Sequence, residues 1–159
     1  MKIVHYPDPV LRRRCRPLSP SDHPDSLDSF ASEMFYLMTA HRGVGLAAPQ
    51  VGHAIRLFVC NHTRRPEDNR CYINPEIEPG KELESGIEGC LSMPGIQVPV
   101  MRAKTCSISA LDLQWNPIHE EADGLLARVW QHETDHLDGI VITDRTVPAA
   151  LLVNRQHLG

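Results

Sequence analysis

The chain has 159 residues, a length that suits one domain with one core, and 42% of them are hydrophobic, 23% charged and only 5% aromatic. Such a core must rest on Leu, Ile, Val, Met and Ala. A net charge of −4 at pH 7 argues against charge-driven binding to nucleic acid or to a membrane surface.

The N-terminal stretch "MKIVHYPDPVLRRR" has neither the apolar run nor the small-residue cleavage site of a signal peptide. No window approaches the ~18 apolar residues of a membrane span. The basic run "LRRRCR" at 11–16 reads as a solvated face. The first helix is expected over 26–43, where Leu27, Phe30, Ala31, Met34, Leu37, Met38 and His41 recur at the spacing of one buried face and Gly43 stands ready to stop it. A glycine-rich loop, "GVGLAAPQVG", follows. Strands are expected at 55–61, 71–75, 96–100 and 105–112, and in the last of these Cys106, Ile108 and Ala110 alternate with polar residues. The connections are too short for repeated βαβ crossovers, so an α+β fold with antiparallel or mixed sheets is expected. A second helix starts after Asp123 as N-cap and stops at Gly139. Pro148 could open one or two final helical turns. The five cysteines (Cys15, Cys60, Cys71, Cys90 and Cys106) are odd in number and contain no CxxC. With no export signal they point to a reducing cytoplasm rather than a disulfide framework.

The second helix carries the chemistry, in "WQHETDHLDG" at 130–139. Residues four apart on a helix differ by about 40° around the axis and about 6 Å along it. His132 and His136 therefore share a face and can reach one ion. Glu133 lies about 100° further round, where it serves better as a base on the open side of a metal than as a third ligand. The ordinary alternative is a solvent-facing polar stripe, with Leu125, Leu126, Val129 and Leu137 supplying the buried side. A catalytic metal site needs a third protein ligand. After His136 there is no Glu and only His157, so that ligand is sought upstream. The best-placed candidate is Cys90 in "GIEGCLSMPG", flanked by glycine and expected in a turn, although an isolated cysteine is more often a buried thiol.

Three segments taken together, "GVGLAAPQ" (43–50), "EGCLS" (88–92) and "QHETDHLDG" (131–139), resemble the three signature motifs of the peptide deformylase family, in that family's order. "YPDPVLR", "YINPEI" and "DGLLARVWQHE" are similar to it as well, so the resemblance runs from the start of the chain to about Arg145. It implies a metal-dependent enzyme that removes the N-formyl group from the initiator methionine of new polypeptides. Cys90, His132 and His136 would then form a His₂Cys site with water as fourth ligand, and Glu133 would carry the proton from that water to the departing amine. Gln50 and the backbone N–H of Leu91 would stabilise the oxyanion. One divalent ion per chain is implied, Fe²⁺, with Ni²⁺, Co²⁺ or Zn²⁺ able to substitute; the ligand set alone does not choose among them.

The same resemblance implies an extended substrate lying between the loop at Gly45 and the strand near Gly89. Gly43 and Gly45 are expected to allow unusual torsions and a close backbone approach. Val44, Leu125 and Val129 are the candidate walls of a methionine pocket. The expected architecture is one catalytic domain over 1–159, with sheets packed around a central helix carrying the HExxH motif, an N-terminal helix and a shortened C-terminal tail. The expected partners are N-formyl-methionyl nascent peptides, with at most a transient ribosome association that the short tail after Arg145 does not favour. No nucleic acid and no membrane are expected, and the location is the cytoplasm. Departures from the family's pattern are Thr134, where a hydrophobic residue is common, and Gln97, where some members have arginine. Arg102 is an ordinary surface ion pair or a supporting group beside Asp135. A small zincin-like peptidase and a non-catalytic metal- or peptide-binding relative are the alternatives. The first would need a His, Glu or Asp as third ligand.

Overall fold

The computed structural model describes residues 1–22 and 26–146. The Pro148 turn and the shortened tail lie outside the described residues. Two helices, α1 (Leu27–Ala40) and α2 (Gly124–Leu137), accompany seven strands: β1 (Gly45–Ala47), β2 (Leu57–Cys60), β3 (Arg70–Pro79), β4 (Leu83–Cys90), β5 (Met93–Ala103), β6 (Thr105–Leu111) and β7 (Pro117–Asp123). The class is α+β. Five strands form a sheet in the order β1-β2-β3-β6-β7, and β4 and β5 form a separate two-stranded ribbon. All strand pairings are antiparallel; the one parallel contact, Arg16 with Ile55, is an isolated bridge. The mixed-sheet alternative is therefore not realised among the described residues.

The two helices lie on opposite faces of the five-stranded sheet. Leu57, Val59, Cys71 and Ile73 pack with Ala31, Met34 and Met38 of α1. Phe58, Cys60, Tyr72 and Ile108 pack with Ala127, Trp130 and Leu137 of α2. This explains why "LFVC" in β2 is apolar without alternation: it is buried on both faces. The ribbon has its own smaller core, where Met93, Ile96, Val98 and Val100 meet Leu11, Val141 and Ile142. In the basic run, Leu11 and Cys15 turn inward while Arg12, Arg13, Arg14 and Arg16 stay exposed, as a solvated face requires.

Several local expectations need correction. α1 ends at Ala40, three residues before Gly43, because Arg42 takes up a left-handed conformation (φ 57°). His41 is exposed rather than part of the buried face, and its Nδ1 lies 2.9 Å from the Leu37 carbonyl. Asp123 occupies the N-cap position of α2 without a side-chain capping bond. Gly139 beyond its end does adopt the left-handed conformation, φ 75°, that suits glycine. β1 and β7 were not expected, and β4 only as the strand near Gly89 that the family resemblance implies. β1 hides in the glycine-rich loop, and β7, "PIHEEAD", buries too little on either face to announce itself by alternation.

Candidate active site

His132, Glu133 and His136 are 9%, 4% and 1% exposed, so the polar face of α2 is not a solvated stripe. Burying three such groups without partners would be costly, and the neighbouring ribbon supplies a partner to each histidine, Glu88 to His132 and Cys90 to His136. Cys90 ends β4 rather than sitting in a turn; the turn is the following pair, Leu91 and Ser92. Its Sγ lies 3.4 Å from His136 Nε2, and the ligand atoms of Cys90, His132 and His136 all fall within 4.8 Å of one another. A tetrahedral ion bonded at about 2.3 Å to sulfur and about 2.1 Å to nitrogen separates those two atoms by about 3.6 Å. The observed spacing fits such an ion, and a soft thiolate with two imidazoles is a donor set for zinc, iron, cobalt or nickel.

Electrostatics agree with a cation there. Burial and the adjacent His132 push the His136 ring well below its ordinary pKa, which keeps it neutral and able to ligate. Burial would also lower His132, but Glu133, Cys90 and Glu88 outweigh it and raise the ring well above its ordinary value. The negative surroundings that favour a proton on His132 are those that favour a metal cation in its place. His132 Nδ1 lies 2.8 Å from Glu88 Oε1. This partner fixes the tautomer and leaves Nε2 for an ion.

Glu133 sits against bare backbone. A Cβ added at Gly45 would come within 2.5 Å of Glu133 Oε2, and one at Gly43 within 2.9 Å of Leu91 Cδ1. Both glycines are thus needed for close approach; neither is among the residues with positive φ, so the expectation of unusual torsions is corrected. Glu133 Oε1 is buried and has no hydrogen-bond partner among the described residues. Burial, opposed by His132 and aided by Glu88, pushes this carboxyl up to about 7, the range in which a group both takes and returns a proton at neutral pH. Gln50 is 2% exposed. Its Oε1 accepts from the Ala47 N–H at 2.9 Å, so Nε2 must face Ser92 Oγ (3.1 Å) and Cys90 Sγ (3.4 Å). The side-chain carbonyl is anchored and the donor side is aimed at the site.

These groups open onto one cleft of about 920 Å³, whose lining includes Val44, Gly45, Gln50, Gly89, Cys90, Leu91, Leu125, Val129, His132 and Glu133. Every sequence-derived candidate is therefore brought to this region, His136 lying just behind the lining. Leu125 is half exposed, at 51%, and forms rim rather than floor. Apart from Arg102 beside Asp135, residue-by-residue reading missed the polar ties between α2 and the ribbon. Gln131 accepts from the Ala103 N–H and donates to the Ala103 carbonyl, both at 2.9 Å. Glu88 joins Arg102 through two bonds of 2.9 Å. Arg102, only 5% exposed, also pairs with Asp135, so the surface ion-pair reading of Arg102 is wrong. The available signal was that Glu88 lies inside "EGCLS" and Gln131 inside "QHETDHLDG".

The family model described as "Polypeptide deformylase" matches residues 1–151. The peptide deformylase of Rhodopirellula baltica is 46% identical over 99% of this chain and 79% of its own length. That of Dictyoglomus turgidum is 40% identical over 98% and 99%. Among solved structures, the peptide deformylase of Plasmodium falciparum superimposes with a TM-score of 0.93 at 38% identity, covering 99% of this chain and 92% of the other. The Legionella pneumophila peptide deformylase matches with the same TM-score at 37% identity and the same coverage.

Proposed function

The chain belongs to the peptide deformylase family and removes the N-formyl group from nascent polypeptides; from that premise we propose how its own residues divide the work. The family has a single catalytic metal, and we assign its ligands as Cys90, His132 and His136, with Fe²⁺ as the ion and Ni²⁺, Co²⁺ or Zn²⁺ as substitutes. When bound, such an ion supplies Lewis acidity, which lowers the pKa of water and polarises a carbonyl. Glu133 takes the proton from the attacking water and delivers it to the amine as the C–N bond breaks, yielding formate and a free N-terminus. The Gln50 amide and the Leu91 N–H donate to the formyl oxygen as charge develops on it. Gly45 and Gly89 let the substrate backbone run extended between β1 and β4, and Val44, Leu125 and Val129 receive the methionine side chain. The observation that carries this assignment is the meeting of three ligand atoms within 4.8 Å of one another, with His132 Nε2 3.9 Å from Oε2 of a buried Glu133 whose Oε1 has no hydrogen-bond partner among the described residues.

In this reading α2 is the central, HExxH-bearing helix of one catalytic domain over 1–159. The enzyme works in the cytoplasm, where nascent chains emerge, and its ribosome contact is transient. No helix among the described residues is long and apolar enough to cross a membrane. Formate release from formyl-Met-Ala-Ser by the Ni²⁺-loaded protein is the direct test. Glu133→Ala is expected to slow turnover by about 10²–10⁴-fold while retaining metal, whereas Cys90→Ser is expected to lose metal. Full activity in either variant would sink the assignment. Cleavage of internal bonds in unformylated peptides would instead favour the zincin-like reading.

A further inference from the structure

We propose that Arg128 is a positioning residue for the metal centre, acting through Glu88 on His132, and that position 86 is glycine so that it can. The proposal rests on the assignment of His132 as a ligand. Arg128 stands one turn before His132 on α2. Its Nη1 donates to Glu88 Oε2 at 2.6 Å and to the Val100 carbonyl at 3.0 Å, while Nη2 donates to the Glu84 carbonyl at 2.9 Å. One guanidinium thereby ties α2 to both strands of the ribbon.

Its route crosses Gly86. A Cβ built there would lie 2.9 Å from Arg128 Cζ, 3.0 Å from Nε and 3.1 Å from Nη2. Any side chain at position 86 must push the guanidinium aside, and a guanidinium at the end of a flexible stem can move. Alanine there is a gentle way to displace the charge without deleting it.

Glu88 is what the displacement would disturb. Oε1 accepts from Arg102 Nη2 at 2.9 Å and meets His132 Nδ1 at 2.8 Å; Oε2 accepts from Arg102 Nε at 2.9 Å and from Arg128 Nη1 at 2.6 Å. Arg102 grips both Glu88 oxygens through Nε and Nη2, and its Nη1 is shared with Asp135. Arg128 is the second cation, and it holds Oε2, the oxygen that the imidazole does not use. With Oε2 held, Oε1 stays on Nδ1 and Nε2 keeps its aim toward Cys90. The carboxylate partner of a ligating histidine is typically worth 10–100-fold in metal affinity or activity; here that partner has a support of its own. Arg128 also lines the substrate cleft, so a simple wall role has to be separated from positioning.

The test is the rate at which Co²⁺-loaded full-length protein releases metal to excess EDTA, read with the Co²⁺ absorption spectrum. Arg128→Met is expected to release Co²⁺ about 10–100-fold faster and to alter the spectrum. Arg128→Lys, which keeps a cation near Glu88, recovers part of the loss. Gly86→Ala is expected to speed release in the wild-type background and to add nothing to Arg128→Met, because both act on one contact. A wall or a mere staple predicts otherwise. Arg128→Met would then keep the wild-type release rate and spectrum while changing only KM or the melting temperature, and that result overturns the proposal. Equal acceleration by Gly86→Ala in both backgrounds overturns it too. Formate release by the unmodified enzyme is measured alongside: its absence would indict the deformylase mechanism, whereas the release rates judge Arg128 independently.

Discussion

The five-stranded sheet and the β4–β5 ribbon are both antiparallel, yet different forces hold them. The sheet is covered on both faces by helices, and its inner strand β2 is buried along its whole length. The ribbon buries one face on a small core and leaves Leu83, Ile87 and Met101 more than half exposed on the other. Its attachment to α2 is largely polar, through Arg128–Glu88–Arg102–Asp135–Arg145 and the Gln131–Ala103 pair. Apolar burial is non-directional and tolerates small shifts. A chain of alternating charges in a poorly solvated setting fixes position. The region that must place one sulfur atom against two imidazoles is the one held by charge, while the bulk of the fold rests on oil.

The sharpest way to break this contrast is Arg102→Met. It leaves Glu88 and Asp135 each short of a buried partner, and removing one member of a buried ion pair costs about 3–5 kcal/mol. Urea unfolding is expected to show a loss of that order; a cost below about 1 kcal/mol, the worth of a surface pair, would mean that the ribbon is not held by charge. Gly45→Ala probes the junction of the two regions, where β1 of the sheet lies over Glu133. The added Cβ displaces the carboxylate, and a misplacement of about 1 Å can lower the rate by ~10²-fold. Steady-state kcat/KM should fall accordingly while the melting temperature changes little; unchanged kinetics would show that the contact is slack. Ile108→Val is the smallest of the three. Within the sheet it is expected to cost about 0.5–1.5 kcal/mol and to leave Co²⁺ release at the wild-type rate. Faster release would show that the sheet's packing and the metal centre are coupled after all.

How legible the molecule is in sequence follows the same division. The helix face of His132, Glu133 and His136 is readable because residues four apart are bound to share a face. The buried alternation of Cys106, Ile108 and Ala110 gave away β6 for an equally local reason, and β2 was visible as an apolar run. β1 was not, since three residues inside a glycine-rich loop carry no period. β7 was not, since Ile118, Glu120 and Ala122 are only half-buried between exposed polar residues, a pattern that looks like a solvated segment. Cys90 was reached as the glycine-flanked cysteine upstream of a helix that still lacked a third ligand, but it was read as a turn residue, whereas it ends β4.

By itself the sequence determined the α+β class, the two histidines and the carboxylate between them, because each depends on spacing within one element. Its three motifs in register also determined the family. Tertiary structure alone decided that Glu133 lies beneath Gly45, that the Gln50 amide is turned toward Cys90, and that Glu88 is shared by Arg102, Arg128 and His132. Those partners sit on different elements, 14, 40 and 44 residues from Glu88 along the chain. No local propensity encodes such a meeting. It arises when the ribbon docks on α2 and the buried charges, having lost water, must find one another.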